Sequence, residues 1–326
     1  MPKLNMIQAI NLALNEAMAA DEGVVVLGED IAVNGGVFRA TEGLLAKFGE
    51  GRVIDTPLAE SAILGSAIGM ALAGLRPVAE MQFCGFSYLM FHQLEGHASR
   101  YRNRTQGGFT CPLVVRLPYG GGVRALEHHS ESRETVYAHL PGVKVVMPSG
   151  PRNARALLRA AIDDPDPVVF MEPKHSYRAF REEVPEEAEI GVIGRAEIVR
   201  EGTDLTLISW GAMMRPALEA AGEVSAQRGA SIEIIDLLTL SPMDEQTVID
   251  SVSKTGRCVV VQEAPRNLGI SSEIVARIND KALLYLEAPV GRVTGWDVVT
   301  PGFGREKLYL PNKSRIADAL GSTLDF

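Results

Sequence analysis

The stretch Asp55-Thr56-Pro57-Leu58-Ala59-Glu60-Ser61-Ala62-Ile63-Leu64-Gly65 opens a run, 57–76, in which almost every residue is small or aliphatic. Gly65 and Gly69 stand four apart, so they share one side of a helix where another backbone can approach closely. A strand-like segment, 77–83, follows at once. The same alternation extends in both directions. Upstream, Ile7, Ile10, Leu14 and Met18 have the spacing of one helix face over 6–20, and 24–27 predicts a short buried strand. Downstream, 86–104 predicts a helix, and 112–117 a strand running into Gly120-Gly121-Gly122. Then come a strand at 143–147, a helix at 151–162 with proline at its start, and a strand at 168–171. Strands alternating with helices imply an α/β fold around a largely parallel, covered sheet.

From 173 to 204 the pattern breaks, and Glu182-Glu183-Val184-Pro185-Glu186-Glu187 suits a charged linker. A second βαβ unit follows, with strands at 205–210, 232–237 and 259–262 between helices at 215–228, 244–254 and 271–279. The 326 residues, about twice a typical domain, therefore divide into 1–180, a linker 181–202, and 203–326.

Composition removes several classes of function. A net charge of −9 argues against a nucleic-acid binder, and Arg100-Tyr101-Arg102-Asn103-Arg104, the one basic cluster, reads as a solvated helix end or a subunit contact. No stretch has the roughly 18 uncharged apolar residues of a membrane span. The opening Met1-Pro2-Lys3-Leu4-Asn5 is unlike a secretion signal, so the expected location is the cytoplasm. Three widely spaced cysteines, Cys84, Cys111 and Cys258, fit neither structural zinc nor a disulfide framework.

Two places carry chemistry. Glu60 is one carboxylate opening an apolar helix, with no Lys or Arg near it in sequence. It reads either as a first-turn residue satisfying the helix dipole or as an acid–base group, since 62–75 looks buried and a buried carboxylate must be bonded or hold a proton. The second place is Gly120-Gly121-Gly122-Val123-Arg124-Ala125-Leu126-Glu127-His128-His129-Ser130-Glu131-Ser132. Its glycines admit a ligand near the backbone, and its histidines can move protons near neutral pH. Contiguous residues without i, i+4 spacing do not suggest a metal site.

Taken together, these phrases resemble the β subunits of pyruvate and branched-chain 2-oxo acid dehydrogenases. Leu27-Gly28-Glu29-Asp30, Gly35-Gly36-Val37-Phe38, Arg52-Val53-Ile54-Asp55-Thr56-Pro57 and Gly74-Leu75-Arg76-Pro77-Val78-Ala79-Glu80 occur in the family's order, as do 116–122, 129–132, 139–148 and 308–311. The resemblance implies a first domain that binds the aminopyrimidine of thiamine diphosphate and a second like the C-terminal domain of transketolase. It gives Glu60 the task of hydrogen-bonding the pyrimidine nitrogen. Phe86 is expected to stack on that ring, Gln82 to line the pocket, and His129 to stand near the thiazolium and the path of acyl transfer. It also implies a structural potassium ion at Leu113, Ala161, Ile162, Asp164 and Asp166, where a helix end and proline turn is the alternative. Substrate choice is left open by departures at His92-Gln93, Glu131 and Cys84-Gly85-Phe86.

Thiamine enzymes hold the diphosphate through a divalent metal with Gly-Asp-Gly, followed about 25 to 30 residues later by Asn-Asn. Neither part occurs in this chain. The resemblance then implies a separate α subunit carrying Mg2+ and the diphosphate, an α2β2 heterotetramer, and delivery of the acyl group to the lipoyl arm of an acyltransferase core. The rival expectations are a transketolase-like, deoxyxylulose-phosphate synthase-like or acetoin-cleaving thiamine enzyme subunit, and a non-catalytic oligomerisation subunit. A nucleotide-binding fold lacks its Gly-x-Gly-x-x-Gly here.

Overall fold

The computed structural model describes residues 1–326. Its strands are β1 (Lys3–Leu4), β2 (Val24–Gly28), β3 (Val53–Asp55), β4 (Arg76–Glu80), β5 (Val114–Tyr119), β6 (Lys144–Val146), β7 (Val168–Pro173) and β8 (Glu182–Glu183). The chain continues with β9 (Glu197–Arg200), β10 (Leu205–Ser209), β11 (Ile232–Asp236), β12 (Thr239–Ser241), β13 (Cys258–Pro265) and β14 (Gly291–Gly295). Seven strands form one sheet in the order β12-β6-β7-β5-β4-β2-β3, and five form a second in the order β14-β13-β10-β11-β9. Both are parallel except at one edge, where β12 runs antiparallel to β6 and β9 to β11. Every residue of β2, β5, β7, β10 and β11 is buried, as strands covered by helices on both faces require, which is why they read as mainly apolar runs interrupted by a few buried polar residues such as Arg116, Glu172 and Glu233.

The Met6–Ala20 helix forms where its periodicity places it, and Ile7, Ile10, Leu14 and Met18 are all buried. A capping box starts it: Asn5 Oδ1 accepts from Gln8 N at 3.0 Å, and Gln8 Oε1 accepts from Asn5 N at 3.1 Å. It packs against the Pro151–Asp163 helix over one face of the first sheet. On the opposite face a 37-residue core runs without interruption from Leu27, Leu64 and Val115 to Ile208, Ile235 and Val260 of the second sheet. The two sheets are thus welded through shared apolar contacts. All three cysteines are free and buried, and no helix is long and apolar enough to cross a membrane.

Several sequence expectations change. The 86–104 segment is not one helix but the turns Cys84–Leu89 and Ala98–Arg100 interleaved with the short helices Phe91–Gly96 and Tyr101–Arg104. Gly96, a poor helix residue, ends the first of these helices. The Glu60–Leu72 helix is only half buried: Ser61, Ala62, Ser66 and Gly69 are exposed, and beyond the helix's own backbone nothing lies within 4 Å of a Cβ placed on Gly69. No backbone of this chain approaches that face. The 181–202 stretch supplies β8, which pairs with β1, and β9, the edge of the second sheet. Strands β12 and β14 and the Lys313–Leu324 helix have no counterpart among the expected elements.

Candidate active site

In a parallel sheet the loops leaving the carboxyl ends of the strands gather along one edge. Here that edge collects Glu29 after β2, Glu60 after β3 and Gln82 after β4. Glu60 is 8% exposed and begins its helix, whose positive end favours a carboxylate. Glu29 is 4% exposed, and its Oε1 has no hydrogen-bond partner. Burial pushes the Glu29 carboxyl up to about 7, and repulsion from Glu60, Asp30 and Glu80 adds to the effect. Gln82 Nε2 donates to Asp30 Oδ2 at 3.2 Å, so its amide reaches into this acidic corner.

An aromatic wall adjoins the carboxylates, because the Cys84–Leu89 turn packs against the Glu60–Leu72 helix. Phe83 and Phe86 meet edge to face at 5.8 Å, and the His129 ring lies 4.2 Å from Phe83 and 5.2 Å from Phe86. Glycine is required at position 85: a Cβ there would sit 1.7 Å from the His128 carbonyl oxygen. That contact lets the turn bearing His128 and His129 close on Phe86. His129 Nδ1 is buried without a partner. Burial, then His128 and Lys174, make the imidazole less basic than usual, so it is mostly neutral at pH 7.

Beneath the pocket Arg116 is fully buried. Its guanidinium bonds Glu172 through Nε (2.6 Å) and Nη2 (2.8 Å) and also bonds Glu80, while Tyr177 donates its hydroxyl to Glu172 Oε2 at 2.6 Å. This group ties β4, β5 and β7 together behind the carboxylate corner.

Of the expected site residues, Phe86 and His129 meet directly, Gln82 bonds Asp30 beside Glu29, and Glu60 opens the helix against which the Phe86 turn packs. The potassium donors fare differently. Asp164 accepts from Lys144 Nζ at 2.6 and 2.8 Å, Asp166 from Arg102 at 2.7 Å, and the Ile162 carbonyl from Arg76 at 3.0 Å. The two acidic side chains are thus engaged in ion pairs with cations of the chain, Asp164 with Lys144 and Asp166 with Arg102. The Ala161 carbonyl does suit a cation, since Pro165, four residues on, has no N–H to offer it. Leu113 offers its carbonyl, already bonded to Val168 N at 3.0 Å, through a remaining lone pair. Nowhere do three His, Cys, Asp or Glu converge as metal ligands.

Sequence reasoning missed several groups. Glu29 belonged to a matched phrase but carried no local signal of burial. Lys174 is 4% exposed with an unpartnered Nζ, and burial brings its ammonium down to about 8. Glu263, at the end of the apolar run of β13, is pushed up to about 7, also by burial. Glu131, one of the departures, has a buried Oε2 without a partner.

Residues 2–179 match the family described as transketolase, pyrimidine binding domain, and residues 194–316 match transketolase, C-terminal domain. The chain is 51% identical to the pyruvate dehydrogenase E1 component subunit beta of Acholeplasma laidlawii over 314 residues, 96% of each chain. It is 50% identical to the protein of that name from Bacillus subtilis (strain 168) over 326 residues, all of both chains. Its fold superposes on a solved chain described as a split gene transketolase, inactive beta4 tetramer, with a TM-score of 0.82 at 21% identity over 99% of each chain. With its two transketolase-type α/β domains and its match to these relatives over the full length, the chain belongs to the family of pyruvate dehydrogenase E1 component β subunits.

Proposed function

We propose that this chain is the ring-activating half of a thiamine-diphosphate-dependent enzyme that oxidatively decarboxylates pyruvate. The observation that carries the reading is the pairing of two buried carboxylates, Glu29 and Glu60, with an aromatic wall and unpartnered polar atoms at Glu29 Oε1 and His129 Nδ1. Carboxylates beside aromatic faces are groups that can bind a flat, nitrogen-bearing ring. Bound there, thiamine diphosphate would supply an acidic ring carbon and an electron sink for decarboxylation. Glu60 holds or shares a proton with the pyrimidine nitrogen. Phe86 offers a ring face, Gln82 lines the corner beside Asp30, and neutral His129 accepts or donates a proton where the acyl group leaves. Pyruvate is favoured over a branched-chain acid by the names of the relatives at 51% and 50% identity.

The rest of the enzyme lies outside this chain. With no Gly-Asp-Gly and no Asn-Asn, it needs an α subunit to hold Mg2+ and the diphosphate. The exposed small residues Ala62, Ser66 and Gly69 beside Glu60 suit close packing of that subunit in an α2β2 assembly. The acceptor is the lipoyl arm of an acyltransferase core, the division is 1–180 and 203–326 joined by 181–202, and the location is the cytoplasm. The test is reconstitution with the α subunit, assaying pyruvate and 3-methyl-2-oxobutanoate with and without thiamine diphosphate. Glu60→Gln should lower turnover by at least about 100-fold, the range of a lost proton-transfer group. Full activity of that variant, or decarboxylation by this chain alone, overturns the reading.

A further inference from the structure

The loop that carries His129 is held by the second half of the chain. Gly120 N donates to Glu131 O at 2.9 Å and closes the base of the loop. Its next amides leave the first domain for partners: Gly121 N donates to Glu263 Oε1 at 2.6 Å, Gly122 N to Glu306 Oε1 at 2.7 Å, and Arg124 N to Glu306 Oε2 at 3.2 Å. Glu263 lies in the last half of β13 and Glu306 opens the Glu306–Tyr309 helix, and both side chains are buried. Gly120 and Gly121 are what let the carboxylates in, since a Cβ at either would lie 2.8 or 3.1 Å from a carboxylate oxygen. Further along, Val123, Leu126 and Glu127 are exposed, so these bonds, the contact with Gly85, and the packing of His129 on Phe83 and Phe86 hold the turn. Between the two ends sits the buried Lys174, its Nζ 5.5 Å over the Phe83 ring and in electrostatic reach of Glu263, Glu306 and His129.

We propose that Glu263 and Glu306 are positioning residues for His129, so that the second domain, through the glycine loop, sets the geometry of acyl transfer. This rests on the proposed role of His129 in passing the acyl group to a lipoyl arm. Decarboxylation draws on Glu60, Glu29 and Phe86, none of which bonds Glu263 or Glu306. Loss of the brace should therefore separate the two half-reactions.

The test uses the reconstituted α–β assembly carrying Glu306→Ala, Glu306→Gln or Glu263→Gln, with His129→Ala as the control. Decarboxylation is followed with ferricyanide as acceptor, acyl transfer with a lipoylated protein domain, and the amides of 120–131 by hydrogen–deuterium exchange. For Glu306→Ala, amides released from a charged acceptor should exchange about tenfold faster or more. Acylation of the lipoyl domain should fall at least about tenfold, as for a one-ångström misplacement, with the ferricyanide rate within about twofold. Glu306→Gln and Glu263→Gln keep an acceptor oxygen and should stay much closer to wild type in all three measurements. Equal loss of both half-reactions, or unchanged exchange and acylation, overturns the brace while leaving the proposed function standing. A wild-type assembly inert towards both 2-oxo acids overturns the proposed function, and the brace with it.

Discussion

Replacing Glu29 by glutamine should stabilise the chain at alkaline pH while impairing it as an enzyme. From its ordinary value of 4.5 the Glu29 carboxyl is pushed up to about 7 in the folded chain, by burial first and then by repulsion from Glu60. Between those values the folded chain keeps a proton that the unfolded chain has released, so stability falls as pH rises through the window and levels off above it. At about 1.4 kcal/mol per pH unit, the gap amounts to no more than about 3 kcal/mol carried against folding at pH 8 and almost nothing at pH 4.5. Glutamine keeps the shape and never ionises, so it removes that burden. With an unfolding entropy of about 2.1 cal/mol/K per residue over 326 residues, the gain is at most about 4 °C in Tm. The assay is calorimetric melting of wild type and Glu29→Gln from pH 4.5 to 8.5. A Tm difference that grows with pH supports the assignment of a strained carboxylate. A difference that stays flat across the range, or a variant less stable at every pH, refutes it.

Other perturbations read different parts of the molecule. Arg116→Met leaves Glu80 and Glu172 buried without their cation and should cost about 3–5 kcal/mol in urea unfolding, whereas a contribution below about 1 kcal/mol would mean the pair is solvated. Gly85→Ala, which sets a methyl group against the His128 carbonyl, should displace the His129 turn and lower lipoyl acylation by about tenfold or more; wild-type acylation would contradict the close approach. If backbone carbonyls of Leu113 and Ala161 hold potassium, KCl should raise Tm above NaCl at equal ionic strength, and Asp164→Asn should keep that increment while losing the Lys144 pair.

Much of the fold was legible because burial leaves a period in the sequence. The Met6–Ala20 helix and the strands of both sheets follow from it. Small residues carry less information: alanine, serine and glycine occur on exposed faces as well as in cores, which is why 62–75 looked buried throughout although only its Ile63, Leu64, Ala67, Ile68 and Ala71 face is. The division of 86–104 into short pieces depends on Gly96 and on the distant His128 carbonyl pressing on Gly85, and only the first is local. Glu60, Gln82, Phe86 and His129 stood out through their neighbours in ordered phrases. Glu263 and Glu306 did not, for their partners are amides more than a hundred residues away.

The three residues of β12 come from the second half of the chain yet complete the first sheet, beyond β6. Truncation within 181–202 would strip that strand away and leave the β6 edge with open N–H and C=O groups, a template for pairing with other copies. Such a fragment should precipitate rather than behave as an autonomous domain. Shuffling halves between relatives would succeed only where the incoming half brings a matching edge, so the two parts of this chain inherit each other's sequence changes.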